Sequence, residues 1–176
     1  MKNALLENAI RNIPDFPKPG ILFRDVTTLI KNKEAFKEAV DLLAEIYKGK
    51  KIDKVVGIEA RGFIFGAALA YKIGAGFVPA RKKGKLPCKT ISATYALEYG
   101  TDNLEIHIDA IKPGENVIII DDLLATGGTA EAAIKLIEEL KAKILGIDFV
   151  IELTDLKGRA KLKNYPVHSL VEFSGE

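Results

Sequence analysis

The sequence predicts an α/β domain, a central mainly parallel sheet with helices on both faces. Segments with strand patterning alternate with segments of helical periodicity along the 176 residues. The strands are near-continuous apolar runs, as burial on both faces requires. A paired carboxylate stands at the end of one such run, and in parallel sheets ligands bind beyond the carboxyl ends of the strands.

From the start, residues up to about Arg11 read as a short amphipathic helix, broken by the prolines and glycine of "IPDFPKPG". Asn32 suits the cap of the next helix, where Phe36, Ala39, Val40, Leu43 and Tyr47 recur on one face. "KVVGIEA" reads as a strand, "RGFIFGAALAYK" as a helix ending near Gly74, and "GAGFVPA" as a second strand. "RKKGKLPCKT" is a basic loop, and "TISATYALEYG" with "NLEIHID" form a hairpin-like excursion around residues 100–103. "ENVIIID" is a buried strand, followed by a helix with Ala130, Ala133, Ile134, Ile137 and Leu140 on one stripe. "ILGIDFVIEL" is a strand, "LKGRAKLKN" a short helix and "VHSLVEF" a last strand. No linker divides the chain, so residues 1–176 are taken as one domain.

At 48% hydrophobic and 28% charged residues, with a formal net charge of +2, the composition is that of an ordinary globular protein. Such a charge argues against a dedicated nucleic-acid or membrane binder. The longest nearly apolar run, residues 62–70, is too short to span a bilayer. Cys88 is the single cysteine, and no targeting peptide is legible, so a reducing cytoplasm is expected. Cys88 itself has no derivable role.

The chemistry concentrates in "VIIIDDLLATGGTA", residues 117–130. Ala125, Thr126, Gly127, Gly128 and Thr129 lie between a strand and a helix N-terminus. Successive backbone N–H groups there cradle an anion, helped by the helix dipole. Asp121 and Asp122, just upstream, supply acceptors for sugar hydroxyls, so the string is suited to a sugar phosphate. It is not a P-loop, for no G-x-x-x-x-G-K-[ST] occurs, and "GAGFVP" has Pro79 where a dinucleotide fingerprint needs glycine. His107 and His168 stand apart and suggest no metal cluster.

The same string resembles the phosphoribosyl-pyrophosphate (PRPP) motif of type I phosphoribosyltransferases. "FPKPGILFRDVTTLI", "IEARGFIFG", "ARKKGKLP" and "YALEYG" are similar to segments of the adenine phosphoribosyltransferase family, in that family's order. The resemblance covers nearly the whole chain. It implies a Rossmann-like sheet with a small N-terminal hood over the base, from about residues 1–32, and a flexible loop excursion.

It also implies roles. Arg61 would serve catalysis and pyrophosphate binding, in a turn with a cis peptide expected at Ala60–Arg61. Arg81 and Lys85 would join it at pyrophosphate. Leu22 would read the adenine edge through its backbone, with Arg24 near N3. Glu98 would carry the proton at N7 and Tyr99 would support the closed loop. Asp121 and Asp122 would anchor the ribose diol beside the reacting carbon. Mg²⁺ would be held mainly by substrate and water, with no purely protein-made metal site. The implied assembly is a homodimer, and the implied reaction is adenine plus PRPP giving AMP and pyrophosphate. Another purine phosphoribosyltransferase and a PRPP-sensing regulator on the same fold are the alternatives. "LFRD" and "LEYG" argue against the first, and the lack of an added domain against the second.

Overall fold

The computed structural model describes residues 3–96 and 100–174. Its elements, in chain order, are α1 (Ala4–Ala9), β1 (Arg11–Ile13), β2 (Phe23–Asp25), α2 (Thr27–Ile30), α3 (Lys33–Ile46), β3 (Lys54–Ile58), α4 (Gly62–Ile73) and β4 (Gly76–Lys82). They continue with β5 (Thr90–Ala96), β6 (Thr101–His107), β7 (Asn116–Leu124), α5 (Gly128–Glu139) and β8 (Lys143–Leu153). Two 3-10 turns follow, Thr154–Leu156 and Gly158–Leu162, before β9 (Val167–Phe173).

Seven strands form one sheet in the order β5-β6-β4-β3-β7-β8-β9. β4, β3, β7, β8 and β9 run parallel. β5 and β6 pair antiparallel, and β6 joins β4 only through Arg81 and Lys82. The expected hairpin excursion is thus an arm built on the end of β4.

β7 shows why both faces are covered. Val117 and Ile119 enter a core closed by α5, through Ala130, Ala133, Ile134 and Ile137. Ile118 and Ile120, one residue out of phase, enter a second core under α3 and α4, through Leu43, Phe65 and Leu69. The α5 stripe is wider than expected, since Ala132 and Leu136 are buried too. Asn32 caps α3 as its sequence suggests, accepting the Glu34 and Ala35 N–H groups at 3.1 and 3.0 Å. Gly74 ends α4 in the left-handed conformation, at φ 72°.

Three expectations are corrected. The first helix stops at Ala9, and Arg11–Ile13 is a strand paired with β2. Tertiary bonds override its helical pattern, because the Arg11 side chain binds Asp25 at 2.5 Å and its N–H donates to Thr28 Oγ1 at 3.1 Å. "LKGRAKLKN" forms 3-10 turns instead of an α-helix, since Lys157 adopts a left-handed φ of 52°. The cis peptide lies one bond earlier than expected, at Glu59–Ala60.

α1 packs on α3 and β9 and α2 packs on α3, while Arg24 of β2 meets Phe173 of β9 at the sheet's edge. No helix among the described residues is long and apolar enough to cross a membrane.

Candidate functional site

The end of β3 lies beside β7, with Gly57 opposite Ile120 in the ladder. After β3 the chain turns through Ala60 and Arg61 into α4, whose first residue presses on β7. A Cβ on Gly62 would lie 2.8 Å from the Ile120 carbonyl oxygen and 3.0 Å from Asp121 Oδ1. Only glycine lets the two turns approach this closely.

Arg61 spans that contact and donates from Nε to Asp122 Oδ2. Asp121 Oδ1 accepts the Asp122 N–H at 2.8 Å. Loss of water and the adjacent Asp122 charge push the Asp121 carboxyl well above the usual carboxylate range. The adjacent carboxylates, inside β7 near its end, are therefore met from within by one arginine.

Beyond them β7 runs on to Leu124, and residues 125–129 curl into the start of α5. Gly127 has φ 79°, which a side chain resists. The loop surrounds a cavity of about 70 Å³ lined by residues 123–130 and Phe149. At about 30 Å³ per water, that is room for one small polyatomic anion. The loop is propped from behind by Gly158, where a Cβ would lie 2.2 Å from the Ala125 carbonyl oxygen and 3.0 Å from the Gly127 nitrogen. On another side the arm closes in, for a Cβ on Gly128 would meet the Ala96 carbonyl oxygen at 3.0 Å.

Arg81 and Lys85 converge on Glu59. Glu59 Oε1 accepts from Arg81 Nη2 at 3.1 Å and Lys85 Nζ at 2.9 Å. Its Oε2 accepts the Lys82 N–H at 3.0 Å and Arg81 Nε at 3.4 Å. Burial would raise the Glu59 carboxyl, but the Lys85 and Arg81 bonds and the Lys82 N–H outweigh it and bring it to about 2. The basic loop is therefore ordered by an internal counter-ion.

At the other end, Arg24 is 8% exposed and its guanidinium lies 4.1 Å from the centre of the Phe173 ring. Its Nη1 donates to Asn12 Oδ1 at 2.6 Å, while its buried Nε has no partner among the described residues. Leu22 leads directly into β2, and Phe23 meets Phe16 edge-on at 5.2 Å. Below them Asp25 accepts from Thr27 and Arg11, which together lower its carboxyl to about 2.

The phosphoribosyl transferase domain family matches residues 25–172. Adenine phosphoribosyltransferase of Bradyrhizobium sp. (strain ORS 278) is 59% identical over 172 residues, 97% of this chain and 96% of that protein. That of Brachyspira hyodysenteriae is 60% identical over 168 residues, 96% of this chain and 99% of that protein. The chain belongs to the adenine phosphoribosyltransferases. Among solved members of the family, the enzyme from Thermoanaerobacter pseudethanolicus superposes with TM-score 0.92 at 53% identity, covering 96% of this chain and 98% of that one. The Saccharomyces cerevisiae enzyme, complexed with an imino-altritol bisphosphate and adenine, superposes with TM-score 0.89 at 49% identity, covering 94% and 96%.

Within this family framework, the structure brings Arg61, Asp121, Asp122 and the 125–129 loop together. It gathers Arg81 and Lys85 one strand away, and sets Arg24 in the N-terminal layer. Glu98 and Tyr99 lie outside the described residues. Sequence reasoning missed Glu59, Gly158, Asn12 and Phe173. A signal existed for Glu59, which is a carboxylate directly after an apolar strand. The other three act through contacts between distant segments, which no local pattern marks.

Proposed function

We propose that the site transfers the 5-phosphoribosyl group of PRPP to adenine, giving AMP and pyrophosphate in purine salvage. The observation that supports this reading is that Asp121 and Asp122, met by Arg61, directly precede the loop that curls around a cavity into the start of α5. A sugar phosphate needs that order, with phosphate at the loop, hydroxyls at the carboxylates and the anomeric carbon beyond.

In this reading the 125–129 N–H groups hold the 5′-phosphate at the N-terminus of α5. Asp121 and Asp122 bind the ribose diol, and the negative charge at Asp122 stabilises the oxocarbenium-like centre as the bond to pyrophosphate breaks. Arg61, Arg81 and Lys85 neutralise the departing pyrophosphate. Leu22 offers one backbone N–H and C=O to adenine, whose N1 acceptor and N6 donor differ from the edge of a 6-oxopurine. Arg24, with its unpartnered Nε, supports the base near N3. Glu98 carries the proton at N7 while Tyr99 steadies the closed loop, which excludes water from a reactive sugar cation.

Among the described residues no three His, Cys, Asp or Glu side chains gather into a metal-binding group. Two adjacent carboxylates suit Mg²⁺ that arrives on PRPP and keeps substrate and water oxygens as most of its ligands. Bound so, it would neutralise pyrophosphate charge.

A homodimer is supported by Tyr71, 92% exposed, and Ile64, 40% exposed, which leave α4 with apolar surface to cover. The exposed thiol of Cys88 suits a reducing cytoplasm.

AMP formation from PRPP and a panel of purine bases tests the reading. Adenine is expected to exceed hypoxanthine, guanine and xanthine by about 100-fold or more in kcat/KM, because a wrong edge leaves buried polar groups unpaired. Comparable turnover of hypoxanthine would overturn the adenine assignment and leave the phosphoribosyl site intact.

A further inference from the structure

We propose that Glu59 is the positioning residue of the pyrophosphate end, setting Arg81 and Lys85 in place before PRPP arrives. This rests on the reading of the site as a PRPP site and adds a residue to it.

The geometry is specific. β3 lies between β4 and β7. From the turn after β3, Glu59 reaches to the cations at the end of β4, while Arg61 reaches to the carboxylates at the end of β7. Residues 59–61 therefore fasten both neighbours to one turn. The Glu59 side chain is 10% exposed, whereas Arg81 and Lys85 are 33% and 49% exposed. The carboxylate sits inside and the cations stay accessible to an anion.

Both cations bind the same oxygen, so they lie close to one another. Without the carboxylate they repel, and each regains its rotamer freedom. With it, that freedom is given up on folding instead of on binding, and the site is set in advance. Two further bonds fix the turn. Arg81 Nη1 donates to the Lys85 carbonyl at 3.1 Å, and Glu105, 7% exposed, accepts the Gly84 N–H at 3.0 Å. The turn is held from both sides, and the Lys85 ammonium is directed by Glu59.

Steady-state kinetics on Glu59→Gln, with PRPP and adenine varied separately, test the proposal. KM for PRPP is expected to rise about 10-fold, equivalent to about 1.4 kcal/mol. The inhibition constant of pyrophosphate should rise in parallel, while KM for adenine and kcat stay within about 3-fold, the pattern of lost uniform binding at one end. Glu59→Asp keeps the charge with a shorter reach, and should limit the rise to about 3-fold. In the Glu59→Gln/Lys85→Gln double variant, KM for PRPP should exceed that of Lys85→Gln by less than the roughly 10-fold of Glu59→Gln alone, because part of the Glu59 effect runs through that lysine and the rest through Arg81.

An unchanged or lower KM for PRPP in Glu59→Gln overturns the proposal. So does an equal loss for both substrates that Glu59→Asp does not relieve, which marks a general brace. If the Gln variant does not fold, Glu59→Asp decides alone, and parental PRPP kinetics there count against the proposal. Failure of the parent enzyme to make AMP is a separate result, and calorimetric titration with pyrophosphate still tests Glu59.

Discussion

Gly158→Ala tests whether the phosphate loop depends on its support. The new Cβ would stand 2.2 Å from the Ala125 carbonyl oxygen and 3.0 Å from the Gly127 nitrogen. Carbon approaches a carbonyl oxygen to about 3.3 Å in ordinary contacts, so the backbone at 125–127 must retreat by roughly 1 Å. Both obstructing atoms are main chain, so no side chain can rotate away. A displacement of about 1 Å in a binding loop can cost on the order of 10²-fold. Overpacking of this kind costs about 1–3 kcal/mol in stability. At about 2–4 °C per kcal/mol for a chain of this size, Tm should fall by roughly 2–12 °C. Initial rates against PRPP should show kcat/KM lowered by about 10²-fold, with adenine KM little altered. Gly127→Ala strikes the same contact from the other side, its Cβ 2.7 Å from the Gly158 carbonyl oxygen. The double variant should therefore lose less than the sum of the two. Parental PRPP kinetics in a folded Gly158→Ala enzyme would refute the reasoning.

Asp121→Asn should abolish most PRPP use and leave the protein folded. Its raised carboxyl pKa means that the folded state binds this proton more tightly than the unfolded state, so its contribution is lost as pH rises through the raised pKa. Denaturation at a series of pH values should show that slope in the parent and its absence in the Asn variant; identical slopes would contradict the assignment. Glu98→Gln should lower kcat by about 10²–10⁴-fold with little change in PRPP KM, as expected for a general acid; near-parental kcat would return Glu98 to a solvated loop residue. Tyr47→Phe removes the 2.7 Å bond to the fully buried Asp148. It should cost about 1–3 kcal/mol with kcat unchanged, since Tyr47 bonds to none of the site residues; an unaltered Tm would mean that His168, 2.9 Å from Asp148, satisfies the carboxyl alone.

The parts legible in the sequence are those whose cause is contiguous. The α5 stripe, the Asn32 cap and the 117–130 string each need only neighbours along the chain, and the structure places them where the pattern does. The order of strands was not legible, because near-continuous apolar runs do not encode which strand lies beside which. Arg11–Ile13 misled for a related reason: Asp25 and Thr28, distant in sequence, outbid a local helical pattern. Arg81 and Lys85 were singled out as cations, but their shared partner at Glu59 depends on β3 and β4 lying side by side. Gly158 reads as an ordinary glycine in a basic stretch until the loop it supports is folded against it.

The contact of Arg24 with Phe173 carries a consequence for synthesis. The guanidinium near the start of the chain is covered by a ring almost at its end. A ribosome delivers Arg24 early and Phe173 late, so the 125–129 loop and its Gly158 support are made while Arg24 still lacks its cover. A ring from β9 thus closes over a guanidinium from β2, and the two can meet only after every strand between them has been made.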